Sequence, residues 1–403
     1  MKELKFVIGA NFGDEGKGLM TDYFCHQARS NGRRTLVIMP NGGSQRGHTV
    51  CLTDGIRHVF HHFSSGTFAG ADSFFTRDFI LNPMTFNKER IELNVACPKM
   101  FASSYCRVAT PYDMMYNHLV EKLRGENKHG SCGAGIYQTI DRYVNCPNYA
   151  EAPYYGEMVN LMHRNKFIDH LEAVKYYYEK KAKEELGVDI GKEIEEWHSV
   201  TLMYHYFDDF TVMANIIHPL YDMSYSEGDL VQDYDTVVVE LGQGMMLDKD
   251  NQEYYPNLTP SKTTLAGNID NILNFLYIPS TYDVEVCYVT RTYLTRHGNG
   301  RLDGECSKEE LSSKIEDATN IPNEHQGSLR FAPLDVKELI LDRIKPDFES
   351  AKVGARLSVA VTHNDQLPMS EIDLKMLHYY ADTIYVSDGA TREDVKIFEN
   401  GGV

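Results

Sequence analysis

Near the start of the chain the apolar run Phe6-Val7-Ile8 breaks into Gly9-Ala10-Asn11-Phe12-Gly13-Asp14-Glu15-Gly16-Lys17-Gly18 and then opens a helical pattern. A strand that ends in glycines and feeds a helix is the opening unit of an α/β sheet, and it places a ligand at the strand's carboxyl end. Glycines let backbone N–H groups approach phosphate oxygens, the helix N-terminus adds positive potential, and Lys17 supplies a full charge. The segment reads as an anion cradle. It departs from the strict GxxxxGK[ST] loop, which needs Gly at position 11 and Ser or Thr at 18, where this chain has Asn11 and Gly18.

The rest of the chain extends that unit. Short runs rich in β-branched and aromatic residues predict strands near 4–10, 35–40, 56–63, 236–241, 284–293, 356–362 and 383–387. Helical periodicity lies between many of them, over 16–30, 84–94, 112–124, 166–186, 192–218, 335–344 and 370–381. Alternating strands and helices imply an α/β fold with a mainly parallel central sheet and helices on both faces. The 403 residues are read as one large domain over 1–403 with a helical insertion at about 150–230, a stretch rich in Tyr, His, Glu and Lys that holds the single Trp197. Its aromatic stripes predict core packing, and Glu193-Ile194-Glu195-Glu196 predicts a solvated helix face with Ile194 turned inward.

Charge and cysteine usage bound the partners. Acidic residues outnumber basic ones 58 to 40, a net charge of −18, which repels nucleic-acid backbones where no dense basic run compensates. The eight cysteines, at 25, 51, 97, 106, 132, 146, 287 and 306, form no CxxC pair and read as reduced thiols. No apolar stretch approaches the roughly 18 residues that span a bilayer, and the amino terminus lacks the pattern of a signal peptide. A soluble cytoplasmic protein, or one working in a host's cytoplasm if viral, is expected, with no nucleic-acid or membrane partner.

Two carboxylates inside a phosphate loop would repel phosphates unless a magnesium ion, which takes hard oxygen ligands, bridges them; alternatively Asp14 serves as a general base. A second loop, Asn41-Gly42-Gly43-Ser44-Gln45-Arg46-Gly47-His48-Thr49, follows the second predicted strand. Its glycines bring His48 close to a phosphate, where an imidazole can donate a hydrogen bond or a proton. The pair His61-His62 lies in a strand pattern with no second ligand cluster and predicts packing.

These residues resemble the adenylosuccinate synthase family. Gly13-Asp14-Glu15-Gly16-Lys17-Gly18 with Gly47-His48-Thr49 is followed, in order, by five further similarities. Gly130 to Ile136 resembles Thr-Thr-Gly-Arg-Gly-Ile; Glu240-Leu241-Gly242-Gln243-Gly244 with Tyr255-Pro256 and Thr263-Thr264 resembles Glu-Gly-Ala-Gln-Gly with its downstream pairs. Thr295-Arg296 and Gly298 are similar to Thr-Arg-Val-Gly, Thr362-His363-Asn364-Asp365 to Thr-Lys-x-Asp, and Ser387-Asp388-Gly389 to Ser-Thr-Gly-Pro. The resemblance implies a P-loop-NTPase-like fold and a magnesium-dependent, homodimeric ligase. Such an enzyme phosphorylates the 6-oxo group of a purine monophosphate and displaces the phosphate with L-aspartate.

Carried over by position, the resemblance implies that Asp14 takes the proton from ring N1 and ligates Mg²⁺ with the Gly47 carbonyl, that His48 stabilises the transferring phosphoryl group, and that Lys17 holds the donor's phosphates. Gly13, Glu15, Gly16, Gly18, Gly47 and Thr49 would line the donor nucleotide, and His363, Asp365, Ser387 and Gly389 its base. Asp365 can accept two hydrogen bonds from guanine, so GTP is the family expectation. The purine monophosphate would meet Gln45, Ser131, Cys132, Gln243 and Thr259, with Arg142 reaching a neighbouring subunit's site.

The departures bear on substrate. Where the family has the run Thr-Thr-Gly-Arg-Arg-Arg-Arg-Thr-Gly-Trp-Leu-Asp, this chain reads Gln326-Gly327-Ser328-Leu329-Arg330-Phe331-Ala332-Pro333-Leu334-Asp335, leaving Gly327, Ser328 and Arg330 to meet aspartate. Gln45, Cys132 and His363 replace a family Asn, Thr and Lys. A lost ribose contact fits the bacteriophage branch, which joins aspartate to dGMP, often with ATP or dATP; retention of Asp14, which the best-known phage enzymes replace by Ser, fits IMP. A GTPase switch or kinase would use the first loop and Thr362 to Asp365 but offers no role for Gln243, Thr259 or the His48 loop. A non-catalytic nucleotide-binding module does not require Asp14, Lys17 and His48 together.

Overall fold

Apolar runs without polar alternation are stable as strands only when both faces are covered, and Thr35–Met39, with all five residues buried, is such a run. A computed structural model describes residues 1–125, 133–146, 148, 150–220, 226–273, 281–316, 328–352 and 354–399. Its strands in chain order are β1 (Glu3–Gly9), β2 (Thr35–Met39), β3 (His48–Cys51), β4 (Arg57–Phe60), β5 (Asp72–Phe75), β6 (Ile80–Leu81), β7 (Met100–Ser103), β8 (Arg107–Val108), β9 (Ile217–Leu220), β10 (Thr236–Gly244), β11 (Asp283–Arg291), β12 (Tyr293–Arg296), β13 (Arg330–Pro333), β14 (Arg356–Thr362), β15 (Thr383–Ser387) and β16 (Val395–Ile397).

One ten-stranded sheet has the spatial order β16-β15-β14-β11-β1-β10-β2-β5-β7-β9, parallel except at β15–β16. Alternate residues of β1 enter opposite faces: Leu4, Phe6 and Ile8 join one apolar cluster, while Val7 joins another with Leu19, Met20 and Phe24 of α1 (Lys17–Ser30). The fold is the mainly parallel α/β sheet expected. Two antiparallel pairs, β3–β4 and β12–β13, stand outside the sheet.

The helices follow their caps. Asn82 accepts from the Thr85 N–H at 3.2 Å to start α2 (Pro83–Leu93), and Thr110 with Asp113 forms a capping box on α3 (Pro111–Arg124). After α4 (Ile136–Asn145) come α5 (Tyr155–Asn160), α6 (Arg164–Lys181), α7 (Ile190–Glu193) and α8 (Val200–Ile216). The helix predicted over 192–218 is divided. Ser199 caps a new helix by accepting from Leu202 N–H, and Pro219 belongs to an extended segment, so the chain leaves α8 as edge strand β9. Residues 104–216 thus cross between the neighbouring parallel strands β7 and β9. The aromatic stripes are core: Trp197, Tyr178, Tyr206 and Phe210 are fully buried, and Trp197 meets the Tyr112 ring at 5.0 Å.

Candidate active site

A cavity of about 350 Å³ opens at the carboxyl ends of the central strands, where a parallel sheet gathers its ligand loops. Asp14 to Leu19 enter it after β1, Gly47 to Thr49 after β2, Arg291 at the end of β11, Thr362, His363, Asp365 and Gln366 at the end of β14, and Gly389 and Ala390 after β15. Cys51 and Arg57, from the β3–β4 pair, and Glu316 complete the lining.

The first loop is held in left-handed backbone. Gly13, Asp14 and Gly16 have φ of 103°, 59° and 97°. A side chain at Gly16 would be strained at this φ and would crowd Thr362, whose Cγ2 would stand 3.0 Å from its Cβ, while the Thr362 hydroxyl donates to the Glu15 carbonyl at 2.7 Å. The two loop carboxylates part company here. Glu15 is buried, accepts from the N–H groups of Asn11 and Gly13 at 3.0 and 2.7 Å, and pairs with Lys17 Nζ at 2.8 Å. Its carboxylate braces the loop instead of facing a donor's phosphates.

Asp14, 23% exposed, is the carboxylate turned to the cavity. Its Oδ2 lies 2.8 Å from His297 Nε2, and its carbonyl accepts from Arg291 Nε at 2.5 Å. Burial alone would raise the Asp14 carboxyl, but the His297 hydrogen bond and the charges of His297, Arg291 and Lys17 outweigh it and hold it at about 2.

His48 begins β3 and is buried against the sheet. Its Nδ1 lies 2.6 Å from Glu240 Oε1, and Arg46 Nη2 lies 2.6 Å from Glu240 Oε2; the Ser65 hydroxyl also donates to Glu240. Burial, and next the Arg46 charge, lower His48 to about 4 against the opposing pull of Glu240. Although burial opposes it, the charges of Arg46 and His48 hold the Glu240 carboxyl far below the usual carboxylate range. The carboxylate only accepts, so Nδ1 carries the ring's hydrogen.

The model of the family described as adenylosuccinate synthetase matches residues 6–325. The chain belongs to the adenylosuccinate synthetase family. Curated relatives with that name include one from Clostridium botulinum (strain Eklund 17B / Type B), 27% identical over 305 residues, covering 73% of this chain and 64% of the relative. Another from Chlorobium chlorochromatii is 27% identical over 325 residues, covering 77% and 66%. The chain therefore spans about two thirds of the length of the curated relatives it matches. Among solved structures, adenylosuccinate synthetase from Plasmodium falciparum shares the fold with a TM-score of 0.70 at 16% identity, over 98% of this chain and 99% of that one. Succinoaminodeoxyadenylate synthetase of cyanophage S-2L, bound to dGMP and dATP, does so with a TM-score of 0.65 at 14% identity, over 98% and 95%.

Of the positions that the synthetase resemblance singles out, Asp14, Glu15, Gly16, Lys17, Gly18, Gly47, His48, Thr49, His363, Asp365 and Gly389 line one cavity. Ser387 does not; its buried hydroxyl donates to the Gly389 carbonyl at 2.7 Å and braces the loop after β15. Gln45, Gln243 and Thr259 lie outside that lining. The loops of Gln45 and Gln243 adjoin, since a Cβ on Gly42 would lie 3.7 Å from Gly242 Cα and 3.8 Å from Gln45 Nε2. Both amide atoms of Gln45 are buried without a partner among the described residues. Ser131, Cys132 and Gly327 lie outside the described residues, and Ser328 is exposed.

One expectation changes. Arg142 was expected to reach a neighbouring subunit, but it is fully buried, with Asp113 bound through Nε and Nη2 at 2.9 and 3.0 Å and the Val108 and Glu151 carbonyls each accepting one further hydrogen. It is a core ion pair because α3 and α4 pack directly on each other. Arg330, expected at aspartate, lies outside this lining, forks onto Glu305 and donates to the Gly298 and Gly300 carbonyls. Sequence reasoning missed Arg291 and His297, although the end of a parallel strand is where Arg291 would be sought.

Proposed function

We propose that the chain is a ligase of the adenylosuccinate synthetase type, which phosphorylates the 6-oxo group of a purine nucleoside monophosphate, IMP or dGMP, with GTP, ATP or dATP and exchanges the phosphate for L-aspartate. The observation that carries this reading is the Asp14 carboxylate, held ionised at the mouth of a cradle that also holds Lys17 and His48. A phosphate cradle for hydrolysis alone has no use for a base aimed at a substrate.

Asp14 accepts the N1 hydrogen of the purine, which leaves the charge on O6 and makes that oxygen a nucleophile toward the donor's γ-phosphorus. Lys17 balances the donor's phosphates. His48, anchored on Glu240, is neutral before substrates arrive, and the incoming phosphoryl charge favours a proton on Nε2, which then donates to the transferring group. The amine of aspartate attacks C6, and the phosphate leaves with the former O6. The products are the N6-succinyl-aminopurine nucleotide, a nucleoside diphosphate and inorganic phosphate.

Among the described residues no group of three or more His, Cys, Asp or Glu could hold a metal alone. One carboxylate and one carbonyl, Asp14 and Gly47, suit Mg²⁺, which completes its shell from phosphates and water. They would hold the ion, which would neutralise charge across the donor's phosphates.

The family further supports a homodimer working in a cytoplasm, a host's if the source is viral, without nucleic-acid or membrane partners. No described helix is long and apolar enough to cross a membrane. One sequence feature favours dGMP as acceptor: of the family's arginine run only Arg330 is retained, which removes the ribose contact that run implies. Asp14 favours IMP, and Asp365 in the base loop favours GTP as donor.

The test is ligation with IMP, GMP or dGMP labelled with heavy oxygen at C6, with GTP or ATP, and with or without L-aspartate. The label appears in inorganic phosphate only when aspartate is present. Aspartate-independent turnover with no label in phosphate would point to a GTPase switch instead, and binding without turnover to a nucleotide-binding module.

A further inference from the structure

The end of β12 and the residue after it run alongside the first loop. The Thr295 hydroxyl donates to the Gly13 carbonyl at 3.5 Å, the Arg296 guanidinium lies 4.6 Å from the Phe12 ring centroid, and His297 Nε2 meets Asp14 Oδ2 at 2.8 Å. Arg296 is itself fixed, 5.2 Å from the Tyr254 ring and donating to the Asn257 and Arg301 carbonyls. On the far side of His297, Arg330 donates to the Gly298 and Gly300 carbonyls. The imidazole is thus presented from a braced segment, as a group that sets another group's direction must be.

At Asp14 the backbone is fixed by Arg291 on its carbonyl, and only the side-chain torsions stay open. An ionised carboxylate accepts and never donates, so at 2.8 Å the hydrogen belongs to His297 Nε2. The family's Thr-Arg-Val-Gly loop carries Val where this chain has His297, and Val cannot donate.

Resting on the reading that Asp14 takes the N1 hydrogen, the geometry points to His297 as a positioning residue that holds Oδ2 of Asp14 and leaves Oδ1 as the oxygen that meets the purine. His297 touches neither substrate in this role. It acts through Asp14, by removing the rotations that would carry the accepting oxygen off line.

The test compares His297→Val with His297→Gln, whose amide nitrogen can stand near the place of Nε2. His297→Val lowers kcat about 10- to 100-fold, the cost of a loosely held reacting group, while KM for the purine and for aspartate stays within about twofold. His297→Gln recovers a substantial part of kcat. Both variants keep the parent's thermal midpoint, because His297 is partly exposed. In the free protein, nitrogen NMR of the His297 ring shows an Nε2-bound hydrogen whose signal shifts in Asp14→Asn. Unchanged kcat in His297→Val, a rise in KM at unchanged kcat, a His297→Gln enzyme as slow as His297→Val, or a ring signal indifferent to Asp14 would overturn the proposal. Failure of the unaltered protein to ligate aspartate to any purine is a different result, because it overturns the functional reading, and this role with it, while the NMR contact persists.

Discussion

Glu240, midway along β10, joins two side chains of the second loop: its Oε1 lies 2.6 Å from His48 Nδ1 and its Oε2 lies 2.6 Å from Arg46 Nη2. Arg46 and Glu240 are both fully buried, so neither charge is stabilised by water. Removing one partner of such a pair leaves the other charge buried and uncompensated.

Glu240→Gln is therefore expected to lower unfolding free energy by about 3–5 kcal/mol, with loss of kcat as His48 loses its anchor. The double variant Arg46→Met, Glu240→Gln regains much of the stability. Urea unfolding of both decides it: a double variant no more stable than the single would show that the pair's charges are not what couples them.

Arg142 and Asp113 make the same argument inside the helical layer. Arg142→Met leaves Asp113, among the described residues, with Tyr178 and Thr110 as its donors, and a loss of about 3–5 kcal/mol is expected. Protein that stays folded keeps its KM for the purine. A raised KM at unchanged stability would restore Arg142 to an intersubunit role.

Arg330 is the position where resemblance and geometry pull apart most usefully. Its guanidinium already grips a carboxylate, that of Glu305, in the forked manner in which it would grip aspartate. Glu305→Ala is expected to lower KM for aspartate several-fold, since the internal competitor is gone, while Arg330→Leu raises it and leaves the purine KM alone. Initial rates over an aspartate series read both; an equal effect on the two substrates would remove Arg330 from the aspartate site.

The sheet was legible because buried parallel strands are written as unbroken apolar runs: Thr35–Met39, Thr236–Gly244 and Arg356–Thr362 lie where the runs predict. Strands β5 and β7 were missed because Asp72–Phe75 and Met100–Ser103 are four residues each and mix polar with apolar side chains. The cradle was legible for a related reason, that glycines at positive φ leave few alternatives in sequence. Pairings across long separations were not. Nothing at position 297 announces a contact with 14, and Glu15 reads like Asp14 until the fold turns one inward and the other to the cavity. Arg142 shows the converse error, a position that matches a motif while packing decides its partner.

His62 offers a pH test that is independent of any substrate. It is fully buried, and its Nε2 accepts from the Asn82 N–H at 2.9 Å, so a proton on that nitrogen would break the bond. Burial is the main cause that lowers His62 to about 3, with His61 and Arg46 adding to it against the nearby Glu89. The unfolded chain takes the proton near 6.5, the folded chain resists until about 3, and between these values the unfolded state binds more protons. Stability from this group is thus complete above about 6.5 and falls as the pH drops toward 3. Between pH 7 and 4.5 the loss should be about 2–3 kcal/mol from His62 alone. His62→Gln, whose side-chain carbonyl can accept from Asn82, should show a shallower decline in urea midpoint over that interval. Because every other titrating group is common to both proteins, the difference between the two slopes isolates His62, and parallel slopes would mean that the ring takes its proton as readily folded as unfolded.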